Sequence, residues 1–355
     1  MVINLLCDTI MYRRYTRLIG NKMKIKKIFL WLLASLLILV SVGAVVTIMT
    51  PYPASYLIRA AFEGGMEVKP VGYDLIEARV QVTENVSYDS KYKSGDYDHF
   101  SPRDYGGTLP VIVWVHGGAF VGGDKDDTDA YATQIADKGY HVISMNYQRA
   151  PEGVYPLQMN QINELITHLK GVTNVLNLDM DQIFMAGDSA GAHMVAQFAL
   201  IQTDSSYAKK VGIDPVIDPS VLKGNLLLCG PYDLQKFSDL ANGNKIMDFF
   251  LSRAAWAYLG DKNWLDNPKF KSLSIVDEIS ENFPASFITD GTVNTFTAHG
   301  ITLAEKLVDM GVDVTSVFYE EEGLELQHEY QFQMDNDYSV NTFNKLVEFL
   351  DNHSN

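Results

Sequence analysis

Two cysteines in 355 residues, Cys7 and Cys229, are too few for a disulfide framework or a cysteine-built metal site. Cys229 lies within the apolar Leu-Leu-Leu-Cys-Gly and reads as a small buried hydrophobe. Basic charge is equally scarce once the first 27 residues are passed: beyond Lys27 stand 43 acidic residues against 21 basic ones. A body of that sign repels phosphate backbones, and no basic stripe with interleaved aromatics offsets it, so nucleic acid is not an expected partner. The acidity reads instead as a solvated surface. Internal repeats and low-complexity tracts are also lacking, which removes solenoids and arrays. At 47% hydrophobic and 20% charged residues, what remains is the composition of a globular chain.

The missing basic residues are gathered at the front. Arg13, Arg14, Arg17, Lys22, Lys24, Lys26 and Lys27 precede an uncharged run of 22 residues, Ile28 to Met49. As a helix this run reaches about 33 Å, enough for a bilayer core of about 30 Å. The expected organisation is a basic cytoplasmic leader (1–27), a membrane anchor (28–49), and an acidic body on the outer face. A signal peptide cleaved near Val42-Gly43-Ala44 is the alternative and would make the body secreted. Residues 50–77 read as a linker and short helix, and 78–355 as the catalytic body.

Within the body, Ala78 to Tyr88 alternates like a strand, and the polar stretch from Ser90 to Gly107 reads as a loop. Short apolar runs follow at Val111–Val115, His141–Met145, Ile183–Ala186, Leu226–Cys229, Ala285–Ile288 and Val314–Phe318. Amphipathic helix candidates alternate with them: Asp129–Lys138, Leu157–Leu169, Ala190–Gln202, Thr297–Met310 and Val340–Leu350. Strands buried on both faces and alternating with helices predict one α/β domain, a mostly parallel sheet flanked by helices. The interval of about 231–283 breaks the alternation. It carries the apolar helix candidate Ile246–Leu259 and is too long for an ordinary connection, which suggests an inserted helical lid.

Gly187-Asp-Ser-Ala-Gly191 fits G-x-S-x-G between a strand and a helix, the setting that exposes a serine hydroxyl at the carboxyl edge of a sheet. A serine needs a base, and His328, in a loop after the last strand candidate, is expected to supply it. The glycines of Val115-His-Gly-Gly-Ala-Phe120 let backbone N–H groups turn inward, so Gly117, Gly118 and the N–H of Ala190 are the expected oxyanion donors. His193 is expected to pack behind the serine. Asp188 is expected to serve structure, as is Glu152 in a salt-bridged turn with Arg149.

These segments together resemble the hormone-sensitive-lipase-like branch of the α/β-hydrolases. The resemblance rests on HGGAFVGGD (116–124), NYQRAPE (146–152), GDSAGAH (187–193), GPYDL (230–234) and QHEYQF (327–332). It implies the α/β-hydrolase fold and a Ser-His-acid esterase with a lid and without a cofactor or metal. Members commonly carry the acid in a D-P-L-x-D-E-G segment. Here the stretch is ITDGTVNTFTAHG, with Val293 or Asn294 at the usual acid position. A neutral side chain there cannot stabilise the imidazolium. Asp290 is therefore the expected acid and Asp233 the reserve.

Phe249, Phe250, Trp256 and Tyr258 in the lid candidate are expected to wall the substrate site, favouring apolar or small acyl esters. Two rival functions stand beside the esterase. One is a peptidase or amidase of the same fold; the other is a catalytically weak, membrane-tethered binding protein, motivated by the missing acid. Oligomeric state is not legible.

Overall fold

A computed structural model describes residues 2–62, 67–236 and 243–354. Six residues of the expected insertion (237–242) and four of the linker (63–66) lie outside them. The chain divides into two compact units, one up to Pro53 and one from Ala54.

The first unit is α1 (Val2–Met49), a helix that continues from the basic leader into the apolar run. Its residues Met11–Met49 contain an 18-residue window of mean hydropathy 2.7, none of it buried, and are long and apolar enough to cross a membrane. Length and composition alone carry that statement.

Helix α2 (Tyr52–Phe62) begins just before the boundary and runs into the second unit, where α3 (Tyr73–Glu77), β1 (Val80–Ser87) and β2 (Asp96–Pro102) follow. The loop expected over 90–107 thus contains a strand. Its sequence, Asp-Tyr-Asp-His-Phe-Ser-Pro, is polar, and Asp disfavours strands. Tertiary partners overrule that preference: Lys125 Nζ reaches Asp98 Oδ2 at 2.9 Å, and His99 Nε2 lies 2.8 Å from His141 Nδ1, all four residues being buried.

Then come β3 (Leu109–Val115), α4 (Asp129–Ala136), β4 (His141–Met145), α5 (Leu157–Leu176), β5 (Leu178–Asp188), α6 (Ala190–Thr203) and α7 (Ser205–Val211). The chain continues through β6 (Leu222–Leu228), α8 (Lys245–Leu259), α9 (Pro268–Lys271), β7 (Ser286–Thr289), α10 (Thr297–Asp309), β8 (Val314–Val317) and α11 (Asp337–His353). Eight strands form one sheet in the order β1-β2-β4-β3-β5-β6-β7-β8. Pairing is antiparallel from β1 to β4 and parallel from β4 onward.

The sheet's period of two explains why its central strands are apolar throughout. Val111, Val113 and Val115 of β3 face a core shared with α5, α6 and α10, while Ile112 and Trp114 face a second core shared with α4 and α11. Both faces of the central strands are covered, so their side chains need apolar neighbours, whereas the edge strand β1 is mostly exposed. Phe184, fully buried in the second core, tests this. Phe184→Ala should lower unfolding free energy by about 3–5 kcal/mol, read as a lower urea midpoint at unchanged slope.

Candidate active site

β5 ends at Asp188 and α6 begins at Ala190, so the whole change of direction falls on Ser189, whose φ is 49° and ψ −117°. A residue other than glycine held there costs about 1–3 kcal/mol. The strain is enforced by neighbouring backbone. A Cβ on Gly191 would run into the Val115 carbonyl, and one on Gly187 would lie 2.6 Å from the Gly191 carbonyl carbon. With glycine at both positions, α6 packs directly against the ends of β3 and β5. Its N-terminal turn, with unpaired N–H groups and partial positive charge, then opens beside the serine hydroxyl.

His328 meets that hydroxyl, its Nε2 lying 2.9 Å from Ser189 Oγ. The histidine loop is laced to the loop after β7. Thr292 N donates to Leu326 O at 2.7 Å, Leu326 N donates to Thr292 Oγ1 at 2.9 Å, and Asn294 Nδ2 donates to Gln327 Oε1 at 3.1 Å. Gly291 allows the approach, since a Cβ there would meet the Leu326 and Gln327 carbonyls.

The other imidazole nitrogen, Nδ1, lies 2.9 Å from Thr295 Oγ1, and that hydroxyl also donates to Asp290 Oδ1. Asp290 Oδ1 itself is 4.0 Å from Nδ1, beyond a direct hydrogen bond. Asp290 is thus next to the imidazole but separated from it by a threonine hydroxyl. Sequence reading missed Thr295, because a neutral hydroxyl one residue past the usual acid position carries no signal in charge or hydropathy. The reserve, Asp233, is engaged elsewhere: Ser274 Oγ donates to its Oδ1 at 3.2 Å and Lys236 Nζ stands 3.0 Å from its Oδ2.

Burial acts on both ends of this chain. It drives the His328 pKa down to about 4, keeping the ring neutral, although 19% of the side chain reaches solvent. It raises Asp290, 1% exposed, to about 6, against hydrogen bonds from Thr295 and the Gly291 and Phe296 N–H groups that favour the anion.

The glycine turn after β3 departs from expectation at one position. Gly117 N donates to Asp188 Oδ2 at 2.7 Å while Trp114 Nε1 donates to Oδ1 at 2.9 Å, so the Gly117 N–H is turned to the Asp188 carboxylate and is not free for an oxyanion. Asp188 is structural as expected: it ties the turn to the end of β5. Gly118, Ala119 and Phe120 follow with φ of 101°, 53° and 65°. Among the described residues, the N–H groups of Gly118, Ala119 and Ala190 have no acceptor. Tyr147 braces the turn, stacking on His116 at 4.3 Å and donating to the His116 carbonyl at 3.0 Å. Glu152 pairs with Arg59 rather than with Arg149, which donates to Gly123 O at 2.6 Å. The partner comes from α2, a segment whose packing local spacing could not reveal.

Glu329 is a second residue the sequence reading passed over. It is buried, with Oε1 3.6 Å from His328 Nε2, and hydrogen-bonds the Asp188 carboxylate. Burial, and then the charge of Asp188, raise its pKa far above the usual carboxyl range, so it holds a proton against Asp188. His193 packs behind the serine as expected, buried and 2.8 Å from the Leu273 carbonyl through Nε2.

A cavity of about 100 Å³ opens against the glycine turn, lined among others by Ala61, Phe62, Gly118, Asp188 and Glu329. A smaller one of about 20 Å³ lies behind Phe120, against Ala255, Tyr258 and Leu259 of α8. Phe120 stacks on Tyr258 at 4.1 Å. Of the four expected wall residues, Tyr258 is the one that meets the turn. Phe249 is partly exposed and packs edge-on to Phe250, and Trp256 is buried beneath Arg253; none of the three lines either cavity. An apolar helix has aromatics on several faces, and only packing selects which one turns inward.

Donor atoms of Cys229, Asp290 and His328 lie within 4.8 Å of one another, close enough to share a metal ion. Yet burial raises the Cys229 thiol well above its ordinary value, and Sγ donates to Gln331 Oε1 at 3.2 Å. A protonated thiol is a poor ligand, so the cluster reads as a hydrogen-bonded floor under the imidazole.

The profile of a family described as alpha/beta hydrolase fold matches residues 112–328, more than half of the chain. The chain is similar to isoprenylcysteine alpha-carbonyl methylesterase of Arabidopsis thaliana, 27% identical over 45% of this chain and 36% of that protein. It is also similar to an arylesterase of Saccharolobus solfataricus, 26% identical over 58% of this chain and 64% of that one. It thus spans less than two thirds of the length of these curated relatives. Among solved structures, esterase B of Lactobacillus rhamnosis superposes with a TM-score of 0.67 at 19% identity, covering 88% of this chain and 94% of that one, a likeness of fold. The chain belongs to the α/β-hydrolase family, in the hormone-sensitive-lipase-like branch.

Proposed function

We propose that the protein hydrolyses carboxylic esters through a Ser189 acyl-enzyme. The observation that carries this is the 2.9 Å approach of His328 Nε2 to the hydroxyl of a serine held at strained φ. Ser189 Oγ attacks the ester carbonyl as His328 Nε2 takes its proton. The oxyanion is received by the N–H groups of Gly118, Ala119 and Ala190, a set that replaces the expected Gly117 with Ala119. Collapse breaks the ester C–O bond, and the alcohol leaves with the proton from Nε2. Water then attacks the acyl-enzyme, giving its proton to Nε2, and the acid departs as Ser189 recovers its hydrogen.

Asp290 is the acid in this reading. At about 4 Å, opposite charges attract by roughly 4 kcal/mol at an effective dielectric constant near 20, so a carboxylate without direct contact still favours the imidazolium. The proton on Glu329 adds support, since a second full negative charge beside the oxyanion site would oppose the transition state.

The cavity of about 100 Å³ favours a short group on one side of the scissile bond. The insertion acts as a lid, with Tyr258, of the four expected wall residues, set against the glycine turn. The uncharged part of α1 anchors the chain, and the basic residues before it keep the N-terminus cytoplasmic, so the catalytic body faces outward. A small-molecule ester is the partner this chemistry needs. Relatives named methylesterase and arylesterase fit an ester substrate, while a relative named kynurenine formamidase, 27% identical over 39% of this chain, keeps an amide as the alternative.

Short-chain p-nitrophenyl esters and a fluorophosphonate probe test the mechanism. Ser189→Ala should lower turnover at least ~10³-fold and abolish labelling. Equal turnover by wild type and variant would remove Ser189 from the chemistry and leave the binding-protein reading.

The pH profile follows from the two buried groups. Asp290 must be ionised and His328 neutral, so kcat/KM should be level above about pH 7 and fall as pH drops from about 6 towards about 4.

Glu329 carries the opposite sign in stability. A carboxyl whose folded pKa is raised binds more protons folded than unfolded, so stability is lost as pH rises above its ordinary value of 4.5. Melting temperature of Glu329→Gln should therefore gain on wild type from pH 5 to pH 9; a constant difference would mean that Glu329 is ionised in the fold.

A further inference from the structure

We propose that Thr295 is a positioning residue: its hydroxyl couples Asp290 to His328, giving this chain a Ser-His-Thr-Asp relay instead of direct contact between acid and imidazole. The inference rests on Ser189 and His328 as nucleophile and base, and it concerns how the base is held.

Hydrogen-bond direction carries the argument. An ionised carboxylate only accepts, so the Thr295 O–H, which has a single proton, must be given to Asp290 Oδ1. Its lone pairs are then what faces His328 Nδ1 at 2.9 Å, and that nitrogen must carry the hydrogen. Nε2 is left bare towards Ser189 Oγ, 2.9 Å away. The hydroxyl thus selects the one tautomer in which His328 can accept the serine proton. In the reaction the Ser189 proton moves to Nε2 and onward to the leaving alcohol, while the Nδ1 hydrogen and the threonine hydrogen stay on their own atoms.

The surroundings hold the hydroxyl in place. Thr295 follows Asn294, whose φ is 54°, and precedes α10, whose first residue, Thr297, donates through Oγ1 to Gly291 O at 2.6 Å. Asp290 is fixed by Gly291 N at 2.7 Å. The edge of Phe296 closes on the imidazole at 5.4 Å between ring centres. The 4.0 Å between Asp290 Oδ1 and His328 Nδ1 is the span of one intervening hydroxyl. The relay also adds a second route to the acid limb. A protonated Asp290 could donate to Thr295, whose hydroxyl would turn to Nδ1 and leave the hydrogen on Nε2, where it blocks the serine.

The test uses full-length protein carrying Thr295→Val, which keeps shape and loses the hydroxyl, and Thr295→Ser, which keeps the hydroxyl. Thr295→Ala replaces the valine variant if that does not fold. Thr295→Val should lower kcat roughly 10²- to 10⁴-fold with KM within about twofold, and Thr295→Ser should stay within about threefold of wild type. Asp290→Asn should cost less in the Thr295→Val background than in wild type, because the hydroxyl-mediated part of its effect is already lost and only the through-space attraction remains.

The low-field proton resonance of the His328 Nδ1–H, assigned by its loss in His328→Ala, should be present in wild type and Thr295→Ser and shifted or lost in Thr295→Val. Wild-type activity in Thr295→Val, or a gain as Asp290 closes on the imidazole, would overturn the relay, as would a serine variant no better than valine. If wild type neither turns over esters nor labels with fluorophosphonate, the esterase reading fails by itself. The resonance then decides the relay alone: retention in Thr295→Val would overturn it.

Discussion

One steric constraint organises this site: the backbones of β3, β5 and α6 meet with no room for a Cβ at Gly187 or Gly191. Because α6 is pressed against the end of β3, the chain leaving β5 has a single residue in which to reverse. Ser189 therefore sits at a φ that serine seldom adopts, and the large buried core of the sheet absorbs the cost. The same closeness places the turn after β3 beside the nucleophile, where Asp188 gathers the Trp114 and Gly117 N–H groups and locks strand to turn. A larger residue at either glycine would relax the turn and separate the parts together.

Burial is the second theme. The site concentrates ionisable groups in a volume that penalises charge, and each is kept in the form its neighbours need. His328 is neutral, Glu329 is protonated against Asp188, and Asp290 stays ionisable through hydrogen bonds from Thr295, Gly291 and Phe296. Paired carboxyls sharing a proton are cheaper to bury than two charges. The arrangement leaves one negative group behind the imidazole and a protonated one on the oxyanion side. That asymmetry is what a reaction creating a transient cation on histidine and a transient anion on the substrate requires.

Family membership sets the frame, and departures from it are where the chain is particular. The usual acid position is filled by neutral residues, yet a carboxylate remains within 4.0 Å of the imidazole because the loops after β7 and β8 are tied by paired hydrogen bonds. The loops position Asp290 and Thr295 together. A site that had simply lost its acid would have no reason to keep a carboxylate buried there.

Much was legible before any coordinate. Alternating apolar runs and helical segments imposed a parallel sheet covered on both faces, because only that architecture buries such strands. The strand-serine-helix spacing marked Ser189, and position after the last strand marked His328. Local pattern failed where partners distant in sequence decide conformation. The polar β2 became a strand because Lys125 and His141 satisfy it, Gly117 gives its N–H to Asp188, and of the aromatics expected in α8 Tyr258 rather than Trp256 faces the turn because the helix packs that way. Composition and periodicity report whether a side chain must be buried. Which hydroxyl stands between Asp290 and His328 is settled by the meeting of two loops more than thirty residues apart, and only the tertiary structure holds that information.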